Sequence, residues 1–347
     1  MIVVRVRSVS VALVVVGIAL SGCTGAVPSS GSSSGSHTAD PPGGQIVYRQ
    51  YLDADGKTGA LFVANTNGTQ KTQLTKPVGN ETDAEPDWSP DGKRIVFSKQ
   101  TDVGLPTEAH AIDLMNADGT DPVALTAGNP SATETNFNDQ PVFSPDGASI
   151  AYAHGDGNPT QQQLTNTGIY VMRNDGTGQH EVVAMAPGAA DVGGVAWSPD
   201  GKQLVYCIFN TGSGQPSGGR AFFVVNTDGT GGRQLTKWDS GADGTPDWSA
   251  ATGRIAFRVA PDEESGVGNF YTVDSNGTGR TQITHLKHAT VSHKVSFSPD
   301  GTWIVYAAAG DDGVTHLALA PVNGSARVPI ATGKYSSSGA DWSPKAG

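Results

Sequence analysis

Cysteine is nearly absent from this chain, with 2 among 347 residues. Two cysteines cannot build a disulfide scaffold or a cysteine-based zinc site, so the fold must be held by its own core. Positive charge is scarce as well. Lys and Arg total 22 against 33 Asp and Glu, for a formal net charge of −11. A nucleic-acid binder needs basic surface to meet phosphates, and that class is excluded. Charged residues make up 16%, below the ~25% usual in soluble domains, which argues against a long-helix or coiled-coil protein. Catalytic signatures are missing too. There is no complete phosphate-binding loop and no His-Glu-x-x-His, and the one Gly-x-Ser-x-Gly match, at Gly31–Gly35, sits in low-complexity sequence. Glycine is what the chain has in excess: 46 residues, with 21 Pro. That composition suits short strands joined by tight turns.

The N-terminal residues read as a targeting segment. Arg5 and Arg7 precede an apolar run from Val11 to Leu20. Ten residues rise about 15 Å as a helix, too short for a ~30 Å hydrocarbon core and typical of a signal peptide. Leu20-Ser21-Gly22-Cys23 follows and resembles the lipobox of bacterial lipoproteins. The expectation is a signal peptide at 1–22, an acylated Cys23, and a Ser/Gly/Pro-rich tether over 23–44, ahead of a globular domain at 45–347. The competing reading is an ordinary signal peptide that contains a cysteine. Such a tether cannot bury apolar surface. The other cysteine, Cys207, lies in the apolar run Leu204–Phe209 and reads as a buried, inert thiol.

Internal repeats decide the fold class. Trp-Ser-Pro-Asp-Gly, with Phe or degenerate variants, recurs with its aromatic at Trp88, Phe143, Trp197, Trp248, Phe297 and Trp342. A second motif, Asn-x-Asp-Gly-Thr or a variant, recurs with its glycine at Gly68, Gly119, Gly176, Gly229, Gly277 and Gly324. Each unit predicts four short strands. The first ends in Asp-Trp-Ser and turns at Pro-Asp-Gly. The second is apolar, as in Ile95-Val96-Phe97. The third leads into an Asp-Gly or Asn-Gly hairpin turn, and the fourth ends in Gln-Leu-Thr. Four antiparallel strands per ~50-residue repeat make an all-β propeller of six blades. The first unit lacks its Asp-Trp-Ser strand, and Ala340–Ser343 is such a strand with nothing after it. The C-terminal strand is therefore expected to complete the N-terminal blade and close the ring.

Asp87 to Phe97, together with Asn-x-Asp-Gly-Thr, resembles the WD40-like (PD40) propeller repeat of TolB, and the likeness covers all six units. TolB is a soluble periplasmic protein whose propeller binds the peptidoglycan-associated lipoprotein and colicins, so the resemblance implies a protein-binding propeller outside the cytoplasm. TolB carries an α/β domain ahead of its propeller. Here the tether stands in that place, so the resemblance is to the propeller alone. Similar repeats precede prolyl-oligopeptidase-type hydrolases, but no hydrolase domain is read in this sequence.

Alternating strands put the repetitive turns on one face. The variable loops, Lys99–Ala109, His154–Gly168, Asn210–Gly219 and Ala260–Gly268 among them, fall on the other, where binding residues usually sit. Inter-blade loops should ring the channel mouth. Asp83, Glu85, Asp87, Glu134, Asp139, Asp191, Asp239, Asp243, Asp247 and Asp341 are placed there as candidates for an acidic funnel that receives a cation or basic partner. The competing reading is that carboxylates cap turns and hydrogen-bond neighbouring blades. For Asp87, Asp247 and Asp341, each just before a Trp, repetition at one position favours it. His285, His288 and His293 fall within one loop, but Lys287 and Lys294 among them make a poor divalent site. Asp53-Ala54-Asp55-Gly56 lacks the further ligands of a calcium loop and reads as a turn. No cofactor is expected beyond the lipid, with a divalent cation the lesser alternative. The expected whole is a monomeric lipoprotein, held at the outer face of the cytoplasmic membrane or on the periplasmic side of the envelope. It would bind a protein or envelope polymer without catalysis. The alternative is a small-ligand or carbohydrate sensor, or a lyase- or lactonase-type enzyme, with its site at the channel mouth.

Overall fold

The computed structural model describes residues 40–128, 135–158, 163–185, 190–210, 219–260, 267–287, 293–310, 312–324, 327–330 and 333–344. Cys23, the signal segment, nearly all of the tether, Glu134 and His288 lie outside them.

The described residues form 24 strands in six four-stranded antiparallel groups. The first sheet is closed by the far end of the chain. Its inner strand, Ser337–Trp342, pairs with Gln45–Tyr51, with Ile46 opposite Trp342 and Val47 opposite Asp341. The inner strands of the second to sixth sheets are Thr82–Trp88, Thr135–Phe143, Ala190–Trp197, Ala242–Trp248 and Val295–Phe297. Each inner strand packs on the next, and Ser337–Trp342 packs on Thr82–Trp88, so the cycle closes. The ring predicted from the repeats is the observed architecture.

Both motifs have a local cause. In Trp-Ser-Pro-Asp-Gly the serine ties the turn. Ser89 Oγ donates to Asp91 at 2.7 Å and accepts the Arg94 N–H at 2.9 Å. Ser144, Ser198 and Ser298 repeat the pattern. The glycine of the second motif answers two demands at once. Gly119 has φ 85, and a Cβ there would sit 2.8 Å from the Leu74 carbonyl oxygen of the preceding sheet.

The fourth strands differ from expectation. The ladder stops before Leu-Thr, at Thr72–Gln73, Val123–Ala124, Arg233–Gln234 and Thr281–Gln282. The threonine hydroxyl takes over from the ladder. Thr75, Thr126, Thr236 and Thr284 accept the third-strand N–H of Leu61, Ile112, Phe222 and Phe270 at 2.8–3.0 Å. A side-chain acceptor thus lets the chain leave the sheet early without orphaning a buried donor.

The core lies between sheets. Ile46, Tyr48 and Trp342 of the first sheet pack with Trp303, Val305 and Leu317 of the sixth, all buried. Each such side chain is worth roughly 1.5–3 kcal/mol of burial. Cys207 is fully buried and free, and burial pushes its thiol pKa up.

Candidate functional site

The ring brings the inner strands together at its axis. In five of them the register slips beside the axis: between Ala84 and Asp87, Asp139 and Val142, Gly193 and Val195, Asp243 and Asp247, and Ser338 and Asp341. At these bulges Glu85 (φ 47), Gln140 (φ 56), Gly194 (φ 54), Gly244 (φ 91) and Gly339 (φ 60) take left-handed backbone. Two of the five are not glycine, a conformation that persists only where the surroundings enforce it. The surroundings are tight. A Cβ on Gly194 would lie 2.1 Å from the Gly244 carbonyl oxygen, and one on Gly244 would lie 2.3 Å from that of His293. The Gln140 side chain accepts the Gly194 N–H.

Lys294 spans this centre. It leaves the sixth sheet and donates to the Pro86 carbonyl of the second at 2.5 Å, reaching past the first sheet. It is 4% exposed. Glu85, Asp87, Asp247 and Asp341 all feel its charge. Burial nevertheless raises all four carboxyl pKa values, that of Asp247 to about 6, and Asp87 is pushed further by Asp341 beside it.

Three of these acids also latch sheets together. Asp341 accepts the Trp88 N–H at 2.9 Å, Asp87 that of Phe143 at 2.8 Å, and Asp247 that of Phe297 at 2.6 Å. In each case the residue before one aromatic holds the backbone of the next. Ser296 does the same for Trp342 at 3.2 Å, and its hydroxyl donates to Asp341 at 2.8 Å.

The other candidates fall in separate places. Asp243 is fully buried between Arg220 at 2.6 Å and Arg258 at 2.7 Å. Asp139 meets His110 Nδ1 at 3.1 Å, and His110 Nε2 meets Glu108 at 3.0 Å. His110 is buried, which alone would lower its pKa. The hydrogen bonds and charges of Asp139 and Glu108 outweigh that and raise it to about 9. Burial lifts Asp83 to about 6, beside Lys99 and Asp113. Burial also raises Asp191, which accepts the Val192 N–H at 3.2 Å. Asp239 lies in a 3₁₀ turn, Trp238–Ser240. Asp83, Glu85 and Asp87 lie within their inner strand rather than in the loop ahead of it.

Of the histidine cluster, His285 borders a groove between the fifth and sixth sheets. His293 packs its backbone on Gly244, and burial lowers its pKa. Among the described residues no three His, Cys, Asp or Glu side chains are arranged to hold a metal ion. Asp53 caps its own turn through the Lys57 and Thr58 N–H groups at 3.1 and 2.8 Å.

Lys294, Arg220, Arg258, His110 and Gln140 were not singled out from sequence for these roles. Lys294 was findable: it stands three residues before Phe297, as Glu85 stands before Trp88 and Gln140 before Phe143.

A closed ring of antiparallel sheets, built from these two motifs and centred on bulged inner strands, is a β-propeller. The chain belongs to the TolB beta propeller domain family (PD40), which matches residues 137–346. Dipeptidyl-peptidase 5 of Porphyromonas endodontalis is 29% identical over 165 residues, 46% of this chain. The match spans only 20% of that curated relative's length. Among solved structures, TolB from Acinetobacter baumannii superposes with a TM-score of 0.65 at 20% identity, over 87% of this chain and 67% of that one. A chain of the nidogen/laminin complex superposes at 0.61 with 12% identity, over 86% and 98%. At these identities the likeness is one of fold.

Proposed function

We propose that this chain is an extracytoplasmic, non-catalytic binding module, anchored through a lipid on Cys23, that docks a protein or envelope component on its variable-loop face. One observation carries the docking surface. Leu52, Val78 and Leu105, at 37%, 71% and 43% exposure, are three of the four exposed large hydrophobics among the described residues. All three lie on loops of that face in the first and second sheets, and the loops are tied together. Thr58 donates to the Gly79 carbonyl, and the Val103 N–H to that of Asn80 at 2.9 Å. Contiguous exposed apolar loops mark interaction sites, whereas single ones are ordinary. The axis, by contrast, is occupied by Lys294 and its carboxylates, which supports a surface rather than a channel as the working part.

The test uses the full chain immobilised on beads and challenged with solubilised envelope. The Leu52→Asp/Val78→Asp/Leu105→Asp variant should lose captured partners while its unfolding midpoint stays unchanged. Equal capture by both proteins would reject the surface. Anchoring is read separately: Cys23→Ala should release the protein from the membrane fraction, and a variant that stays there would reject the lipid.

A further inference from the structure

The groove between the fifth and sixth sheets differs from its counterparts. In four sheets the second and third strands pair two aromatics directly: Tyr48 with Phe62, Tyr152 with Tyr170, Tyr206 with Phe223 and Phe257 with Tyr271. Their ring centroids are 6.0–6.5 Å apart. In the second sheet Phe97 faces Asp113. In the sixth, Tyr306 faces Ala318, and its ring packs on Phe270 of the fifth sheet with centroids 5.0 Å apart. Two residues beyond that aromatic, the first five sheets carry Gln50, Lys99, His154, Ile208 and Val259, and the sixth has Ala308. On the third strand, Met115, Met172, Val225 and Val273 correspond to Ala320, with Ala64 the one match. Three alanines thus stand together where most sheets place bulk. The result is a cavity of about 390 Å³, with Tyr306, Ala308 and Ala320 as its floor and Leu286 as a wall. That volume falls within the ~300–1,000 Å³ of small-molecule sites.

The rim is cationic in an acidic protein. Lys287 and Arg327 border the cavity, and among the described residues no carboxylate lines it. Neither makes an ion pair or hydrogen bond with a described residue. Arg327 is the third residue after the turn glycine Gly324, as Lys71 is after Gly68 and Arg280 after Gly277. Lys71 lies 4.6 Å from the centre of the Phe62 ring, and Arg280 4.5 Å from that of Tyr271. In the sixth sheet the cation is kept and the third-strand ring is absent.

We propose that this cavity binds a small aromatic carboxylate. Its ring sits over the alanine floor beside Leu286, in the space that a third-strand aromatic fills in four of the other sheets. Its carboxylate meets Lys287 and the planar fork of Arg327, whose geometry matches two carboxylate oxygens.

The probe is 3-phenylpropionate, titrated calorimetrically into the detergent-solubilised full chain, with 3-phenylpropanamide as the neutral isostere. Saturable binding of the acid, at least tenfold tighter than the amide, is expected. Arg327→Gln should weaken it about tenfold. Ala308→Ile, which installs the fourth sheet's residue, should abolish it and leave the fold intact. If that variant fails to fold, Ala320→Met, the residue of the second and third sheets, fills the same space. No saturable binding, equal binding of acid and amide, or binding indifferent to both a filled cavity and Arg327→Gln would overturn the proposal. The docking surface is tested at other residues, so failure of one leaves the other standing.

Discussion

At four junctions of the ring the residue just before the repeat aromatic grips the next sheet's backbone with a side-chain oxygen, and at the two around the fourth sheet that residue is apolar. Asp341, Asp87, Asp247 and Ser296 supply the grip where they occur. At the same position the third sheet has Val142 and the fourth has Ala196, both buried in apolar clusters. Here the inner strands instead close through Gly194, pressed between Gln140 and the Gly244 carbonyl. Three of the four gripped junctions use ionisable groups that are costly to bury. The two around the fourth sheet close at the axis through backbone contact and a neutral amide, and the charge they hold, Arg220 on Asp243, is an ion pair at 2.6 Å. A closed ring needs all its junctions, so the two designs should fail differently.

The backbone-packed junctions should break most severely. Gly194→Ala places a methyl 2.1 Å from a carbonyl oxygen in left-handed backbone. Neither insult can relax without moving the neighbouring sheet, and a loss of about 3 kcal/mol or more in urea unfolding is expected. Gly232, with nothing within 4 Å of a built Cβ, is the matched control, and Gly232→Ala should change little. Next comes Lys294→Met, which leaves the axial carboxyls without their cation. A loss of about 3 kcal/mol at pH 8 is expected, because uncompensated buried charge is the costly state. The deficit should narrow on acidification as those carboxyls take up protons. A deficit constant with pH would mean that Lys294 matters only as a packing stem.

A gentler pair sharpens the contrast. Asp341→Ala orphans the buried Trp88 N–H and should cost about 2 kcal/mol. Val142→Ala at the matching position removes only apolar area, about 1.5 kcal/mol. The Val142 loss should be the same at pH 5 and pH 8, and the Asp341 loss should not. Equal pH behaviour of the two variants would erase the distinction between the two kinds of junction.

The repeated parts of this contrast were legible in the sequence and the unique parts were not. The Asp latch shows because it sits at one place in three repeats, and Pro-Asp-Gly and Asn-Gly show because each turn is settled within a few residues. Leu-Thr misled as a strand end because a threonine side chain stood in for the ladder. The place of Lys294, three residues before Phe297, is legible, but its role is not, because its acceptor at Pro86 is 208 residues away. Asp243 read as an open acid because Arg220 and Arg258, which enclose it, belong to no repeated motif. The cavity beside Tyr306 is an absence, visible only once strand register shows which residues share a position.

The smallest expected effect is the shape of stability against pH, and it falls in different pH windows at two junctions. At the fifth-to-sixth junction, Asp247 has its pKa raised to about 6 by burial. Between its ordinary value and about 6 the folded chain holds a proton that the unfolded chain has released. Its contribution is therefore present below about pH 4 and is lost as pH rises through 6. At the second-to-third junction, His110 is raised to about 9 by its two carboxylate partners. Its contribution is full below about pH 6.5 and is lost as pH rises through 9, while the lowered carboxyls of Asp139 and Glu108 lose theirs as pH falls. Asp247→Asn keeps an oxygen to accept the Phe297 N–H and removes the titration. It should flatten the curve between pH 4 and 6 and raise stability at pH 7 relative to the parent. His110→Gln should flatten the segment from pH 7 to 9 and leave the acid limb of Asp247 in place. Urea unfolding across pH 4–9.5 reads both. An Asp247→Asn protein less stable than its parent at pH 7 would show that the carboxylate is the favoured form at this junction, and that Lys294 and the backbone donor outweigh burial.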